Sequence, residues 1–489
     1  MILTLNFVIY LADSLAKNAA QQAFCINDKF FTYADMLKRI NSIRTELSKV
    51  DDHYIGLVVN NDLDTYASVI ATWMEGKCYI PLHPMQPLAR CRDIISQVGI
   101  RTVLDSSLDS RYKDENVIRI CNLPDNESFM PVVHPNADKP AYILFTSGTT
   151  GRPKGVPISY GNIDAFVNGF KELGIQIKEE DRCLQMFDLT FDLSVGCLLM
   201  ALLNGACLYT VKQGVIKWLE TVRLIDDYQL SVVLMAPSVL HYMLPYLDEI
   251  DVSHIRYSFF SAEASNVEDI KCWQKVSQAE MWNFYGPTES TIFCTTYKFP
   301  QSEIKNVNGI VCIGRPMNRV KAMVVDDNYK LLPEKSKGEL CVAGDQLFKD
   351  YWDSSVIKSA FINYNGVRWY LTGDICSIDE AGDIYYYGRK DSQVKIQGYR
   401  IELSEIEYIA RKFFENKVAV AAVLVTNKGG AKIGLAVECE DDSRDKELMD
   451  FLKHYLPSYM LPYRTIHLQT FPQNSNNKID RNKIKELFK

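Results

Sequence analysis

The stretch Leu144-Phe145-Thr146-Ser147-Gly148-Thr149-Thr150-Gly151-Arg152-Pro153-Lys154-Gly155 constrains this chain most, because it sets hydroxyls, glycines and two cations in one loop behind an apolar run. The run at 141–145 reads as a buried strand, and a strand that feeds a glycine-bearing turn belongs to an α/β layer. Glycines let the backbone approach an anion and turn N–H groups toward it, hydroxyls add donors, and Lys154 supplies a compact positive charge. A nucleotide triphosphate calls for these groups. The loop is not a Walker P-loop, since Lys154 lacks the Gly-Lys-Ser/Thr setting. Taken alone, a Thr/Gly-rich surface loop is the alternative.

Further strands are expected at 231–235, 257–260 and 280–284, each ending in a polar or glycine-bearing turn where α/β folds place ligands. Ile163, Phe166, Val167 and Phe170 share one helical face behind Asn162, read as an N-cap. At 489 residues the chain is too long for one growing core, so at least two domains are expected. The texture changes around Gly388-Arg389-Lys390-Asp391. Beyond it, a Ser404-Glu405-Ile406-Glu407 capping box opens a helix carrying Ile406, Ile409, Ala410 and Phe413. Strands at 418–425 and 433–439 follow, then a helix with Leu448, Phe451, Leu452 and Tyr455 inward. This makes a small α+β domain, 391–489, after a larger one, 1–390.

A net charge of −7 gives no footprint for nucleic acid. The 13 cysteines lack any CxxC pair, which argues against a zinc site and suits a reducing compartment. The apolar start is interrupted by Asp13 and Lys17, so neither a signal peptide nor membrane insertion is expected, and cytoplasm is the default.

The Thr/Gly loop closely resembles the phosphate-binding loop of the adenylate-forming enzymes, the superfamily of acyl-CoA synthetases, luciferases and amino-acid adenylation domains. Further motifs follow in the family's order along essentially the whole chain. Phe31-Thr32-Tyr33 and Gly76-Lys77-Cys78-Tyr79-Ile80-Pro81-Leu82 look like its structural motifs, with His83 where Asp is more usual. The resemblance implies a large multi-sheet α/β N-terminal domain that binds ATP and an amino acid, and a mobile α+β C-terminal lid. It assigns Thr146, Ser147, Gly148, Thr149, Thr150, Gly151 and Lys154 to the nucleotide. Asn283-Phe284-Tyr285-Gly286-Pro287-Thr288-Glu289 is similar to the strand-end motif whose aromatic flanks adenine, whose Thr touches the α-phosphate and whose Glu holds Mg2+. That gives Glu289, with Thr146, as metal and catalytic candidates. A hard cation with oxygen ligands suits departing pyrophosphate. Ala262 and Glu263 fall beside adenine.

Tyr370-Leu371-Thr372-Gly373-Asp374 resembles the ribose motif, with Arg389 nearby and Asp391 as hinge. Asn476-Asn477-Lys478-Ile479-Asp480-Arg481 is similar to the segment that delivers the catalytic lysine, Lys478. It would bridge the substrate carboxylate and the α-phosphate during in-line attack.

Phe191-Asp192-Leu193-Ser194 resembles the motif of amino-acid adenylating members, in which the Asp pairs with the substrate ammonium. A buried charge needs a partner, and a helix N-cap role for Asp192 is the competing reading. The accompanying pocket positions are Leu193, Gly196, Leu234, Phe259, Ser261, Phe284, Ile292 and Phe293. None is charged, which points to a neutral side chain. The resemblance is particularly to D-alanine:D-alanyl carrier protein ligases and to stand-alone nonribosomal peptide synthetase adenylation enzymes. It implies a ligase that forms aminoacyl-AMP and passes it to a phosphopantetheinylated carrier protein, with D-alanine a leading substrate. An acyl- or aryl-CoA synthetase is the alternative. A non-enzymatic nucleotide-binding protein is a further one, motivated by Tyr160, Ala262 and Asn477, which depart from the family pattern.

Overall fold

The computed structural model describes residues 6–128, 130–146, 153–352, 360–390, 393–427, 430–439, 442–473 and 479–488. Ser147, Gly148, Thr149, Thr150, Gly151, Asp391, Asn477 and Lys478 lie outside the described residues.

The chain divides into two compact units. The first comprises Met1–His83, Val98–Leu144 and Val156–Lys390. Its nine-stranded sheet has at its centre the parallel neighbours Glu280–Tyr285, Tyr257–Phe260, Val232–Met235 and Arg182–Gln185. A six-stranded sheet contains the parallel set Thr102–Asp105, Tyr54–Val58, Cys78–Leu82 and Pro140–Thr146. A five-stranded antiparallel sheet carries Val367–Ile378 and Ile384–Arg389. Alternation along the strands decides what faces the core. Leu234, Phe259, Trp282 and Phe284 share one face of the nine-stranded sheet, while Met235, Phe260 and Asn283 share the other.

The second unit comprises Pro84–Gln97, Phe145–Gly155 and Asp391–Lys489. Its sheet pairs Val420–Asn427 with Gly430–Val437 antiparallel and adds Arg464–His467 in parallel. The helices Leu403–Phe413 and Asp445–Tyr455 bury Ile406, Ile409, Leu448 and Leu452 in one core, and Ile484 from Arg481–Glu486 enters a second with Val423 and Phe471.

Two expected caps are corrected. Ser159, not Asn162, caps the helix Tyr160–Glu172, and Asn162 is the third-residue partner of a capping box. Ser404 lies inside the helix Leu403–Phe413, whose cap is Glu402 without a side-chain bond. There tertiary partners outcompete the local box. The Arg90 guanidinium donates to Glu405 at 2.5 Å, and Glu407 accepts from the Ala422 N–H at 2.9 Å and from Arg481 at 2.7 Å. None of the thirteen cysteines is in a disulfide. No helix among the described residues is long and apolar enough to cross a membrane.

Candidate active site

The carboxyl ends of the four central parallel strands deliver many of the residues singled out in the first unit, while Asp374 and Arg389 come from the antiparallel sheet. Asp192 follows Arg182–Gln185, Leu234 lies in Val232–Met235, Phe259, Ser261, Ala262 and Glu263 come from the end of Tyr257–Phe260, and Thr288 and Glu289 follow Glu280–Tyr285. In open α/β sheets ligands collect at this edge.

Asp192 is the first residue of the helix Asp192–Leu202, and the cap is Phe191, with no side-chain cap bond. The aspartate is buried, and its Oδ2 has no hydrogen-bond partner among the described residues. Burial pushes the carboxyl up to about 6, the Thr288 hydroxyl and the Leu193 and Ile292 N–H groups opposing this and the Glu289 charge adding to it. A buried carboxylate with one oxygen unmet is costly, so the geometry suits a cation.

The aromatic pocket positions pack on one another. The Phe284 and Phe293 rings stack with centroids 4.2 Å apart, Phe259 lies 5.0 Å from Phe284, and Phe166 meets Phe293 edge-on at 4.8 Å. Gly286 must be glycine, because a Cβ there would come within 2.5 Å of the Phe293 Cα. Leu193, Leu234, Phe259, Ser261, Phe284, Ile292 and Phe293 are all buried.

Glu289 is fully buried and accepts a 2.8 Å hydrogen bond from the Tyr351 hydroxyl, which in turn lies 3.2 Å from that of Tyr370. Its oxygen donors suit a hard cation such as Mg2+. Among the described residues no group of three or more His, Cys, Asp or Glu side chains could hold a metal by itself, so a cation here would draw further oxygens from a ligand.

Asp374 is buried too, yet well served. Tyr285 donates its hydroxyl at 2.5 Å and Arg389 its guanidinium at 3.1 Å, while Arg389 also reaches the Thr372 carbonyl at 2.6 Å. Asn283, read as a nucleotide contact, donates to the Cys312 carbonyl at 3.0 Å and accepts from Ser265 at 2.9 Å. Ala262 sits at φ +77°, in the region where glycine is at ease. Glu263 accepts from the Ser238 N–H at 3.0 Å. Of the departures from the family pattern, Tyr160 donates to the Lys77 carbonyl at 2.6 Å inside the core, and His83 pairs with Asp188 at 2.9 Å. In the second unit, Thr146 ends its strand with a buried Oγ1 that has no partner among the described residues, and Lys154 opens the strand Lys154–Ser159.

Sequence reasoning missed Tyr142, Tyr351 and Gln346. The Tyr142 hydroxyl is buried without a partner among the described residues, and burial, with the Asp192 charge adding to it, drives its pKa far up. A phenol inside an apolar strand was the available signal; Tyr351 and Gln346 carried none.

Asp192 and Glu289 are thus two buried carboxylates that follow strands of the parallel sheet at its carboxyl edge. The chain belongs to the AMP-binding enzyme family, whose match covers residues 11–352. Within the adenylate-forming superfamily it falls in the amino-acid adenylation branch and is an AMP-forming ligase. It is 28% identical over 494 residues to surfactin synthase subunit 1 of Bacillus subtilis (strain 168), matching 97% of this chain but 14% of that protein. It is 28% identical over 492 residues to zwittermicin A synthase ZmaJ of Bacillus cereus, covering 96% of this chain and 92% of ZmaJ. The chain thus spans a small part of some relatives and most of others. Among solved structures, the Vibrio cholerae adenylation domain AlmE in complex with glycyl-adenosine-5'-phosphate aligns with a TM-score of 0.88 at 25% identity, over 99% of this chain and 97% of that one.

Proposed function

We propose that the chain uses ATP to activate a small neutral amino acid as its aminoacyl-AMP and passes the acyl group to the thiol of a phosphopantetheinylated carrier protein. One observation carries this reading: Asp192 is buried with an oxygen that has no partner among the described residues, and a substrate ammonium would satisfy it. In the first step a carboxylate oxygen attacks the α-phosphorus as the bond to pyrophosphate breaks. In the second, the thiol sulfur attacks the carbonyl carbon and AMP leaves. Mg2+ bound at Glu289, with Thr146, would neutralise phosphate charge as pyrophosphate departs. Residues 146–151 and Lys154 would cradle the phosphates, Ala262, Glu263 and residues 283–288 the adenine and α-phosphate, Asp374 and Arg389 the ribose. Lys478 would bridge carboxylate and phosphate, and residues 391–489 would turn about Asp391 between the two steps, excluding water from a labile anhydride. Thiols throughout the chain fit a cytoplasmic setting.

The uncharged pocket keeps D-alanine a leading substrate. Glycine is a second reading, favoured by the packed aromatic floor and by the glycyl adenylate that AlmE binds. The test is amino-acid-dependent ATP–pyrophosphate exchange over glycine, L- and D-amino acids and amine-free carboxylic acids. Exchange with a small amino acid is expected, and exchange driven only by amine-free acids would transfer the chain to the acyl-CoA synthetases. Lys478→Ala should abolish adenylation while sparing thioester formation from supplied adenylate.

A further inference from the structure

Two adjacent residues with side chains, Thr291 and Ile292, stand in the left-handed region at φ 61° and 69°. A β-branched residue there is a genuine outlier, and such strain persists only where the surroundings impose it. Gln346 imposes it here. This residue, itself buried, donates its side-chain amide to the Phe293 carbonyl at 2.8 Å and to those of Ser290 and Thr291 at 3.3 Å, while its backbone carbonyl accepts from the Thr291 hydroxyl at 2.6 Å. The result places Ile292 with precision. Its Cγ2 lies 3.0 Å from where a Cβ on residue 196 would be, and Gly196 is one helical turn beyond Asp192 on the same face. The Ile292 side chain thus lies against the helix face that Asp192 and Gly196 share, and the next residue, Phe293, stacks on Phe284.

We propose that Gln346 is a specificity-positioning residue: by holding Thr291-Ile292 left-handed it seats the Ile292 side chain against Gly196 and limits the activated amino acid to glycine or a single-methyl side chain. This rests on the amino-acid-activation reading of the Asp192 site.

The test measures pyrophosphate exchange with glycine, D- and L-alanine, valine, leucine and phenylalanine. Wild type should respond to glycine or alanine and fall at least tenfold in kcat/KM at valine. Gln346→Met keeps the length but loses the amide. It should hold kcat for the small substrate within about fivefold and raise kcat/KM for valine or leucine at least tenfold, a gain that mere loosening of the fold would not give. Ile292→Ala should give the same gain, and the double variant no more than either, because both act through one side chain. Leucine or phenylalanine matching glycine in wild type would overturn the proposal, as would a folded Gln346→Met that loses every substrate in equal proportion. Should Gln346→Met fail to fold, Ile292→Ala decides alone, and no gain with larger substrates overturns it. A folded wild type that exchanges with no amino acid would instead overturn the functional reading beneath it.

Discussion

Asp192 and Asp374 are both carboxylates at the rim of one β-rich unit, exposed by only 7% and 4%, yet their surroundings treat them in opposite ways. Asp374 is met by a phenol and a guanidinium, and its own N–H is held by Thr372. Asp192 keeps an oxygen without a partner among the described residues, and its carboxyl is pushed up to about 6. A satisfied carboxylate is fixed in place and ready to accept hydrogen bonds from neutral hydroxyls. An unsatisfied one lowers the stability of the empty protein and recovers that loss only when a cation arrives. The contrast separates a group built for geometry from a group built for charge.

The largest break in this contrast comes from Asp192→Asn. Amino-acid-dependent exchange should fall about a thousandfold or more, the scale of removing one member of a buried ion pair. Stability should move the other way. A carboxyl raised from 3.8 to about 6 is more easily protonated folded than unfolded, so its ionisation costs stability above pH 6 and nothing below about pH 4. That cost is of order 3 kcal/mol at most. Asp192→Asn should therefore melt a few degrees higher than wild type at pH 8, with the advantage fading toward pH 4, as thermal melts across that range would reveal. Unchanged melting at pH 8 would mean that Asp192 is already neutralised in the empty protein. Glu289→Gln comes next. Exchange should drop about a hundredfold. Because the Glu289 charge raises Asp192, the acid limb of the amino-acid KM profile should also shift to lower pH. A limb that stays near 6 would show the two carboxylates to be uncoupled.

How much of this was legible depended on whether the cause was local. The strand 257–260 was read with its observed ends, because an apolar run between turn residues carries its own signal. Asp192, Glu289 and Asp374 stood out because each sits in a motif next to a strand end or a domain change. The left-handed pair Thr291-Ile292 did not, since neither residue favours that conformation and the force imposing it comes from Gln346, far along the chain. Tyr351, 62 residues from Glu289, was invisible for the same reason. The Ser404 capping box was misread because its third-residue partner, Glu407, is engaged instead by the Ala422 N–H and by Arg481, 74 residues away. Local chemistry named the charges, and tertiary packing decided which of them would be satisfied.

At the Asp374 end, Tyr285→Phe removes the shortest bond to the aspartate and leaves one oxygen without that donor. The net worth of such a bond, about 1 kcal/mol, predicts a rise of several-fold in KM for ATP, with the amino-acid KM unchanged. Steady-state kinetics with each substrate varied in turn would separate the two; an equal rise in both would merge the two regions. The smallest effect belongs to Ala262, whose φ of +77° places a Cβ where the backbone resists one. Replacing it with glycine relieves that strain while loosening the unfolded chain. The two terms oppose each other, and the strain term, at roughly 1 to 2 kcal/mol, is the larger. Ala262→Gly should raise the melting temperature by a degree or two and leave KM for ATP within about twofold. A fall in melting temperature would mean that the methyl group earns its place through packing, and that this turn, like Ile292, is held in tension for a purpose.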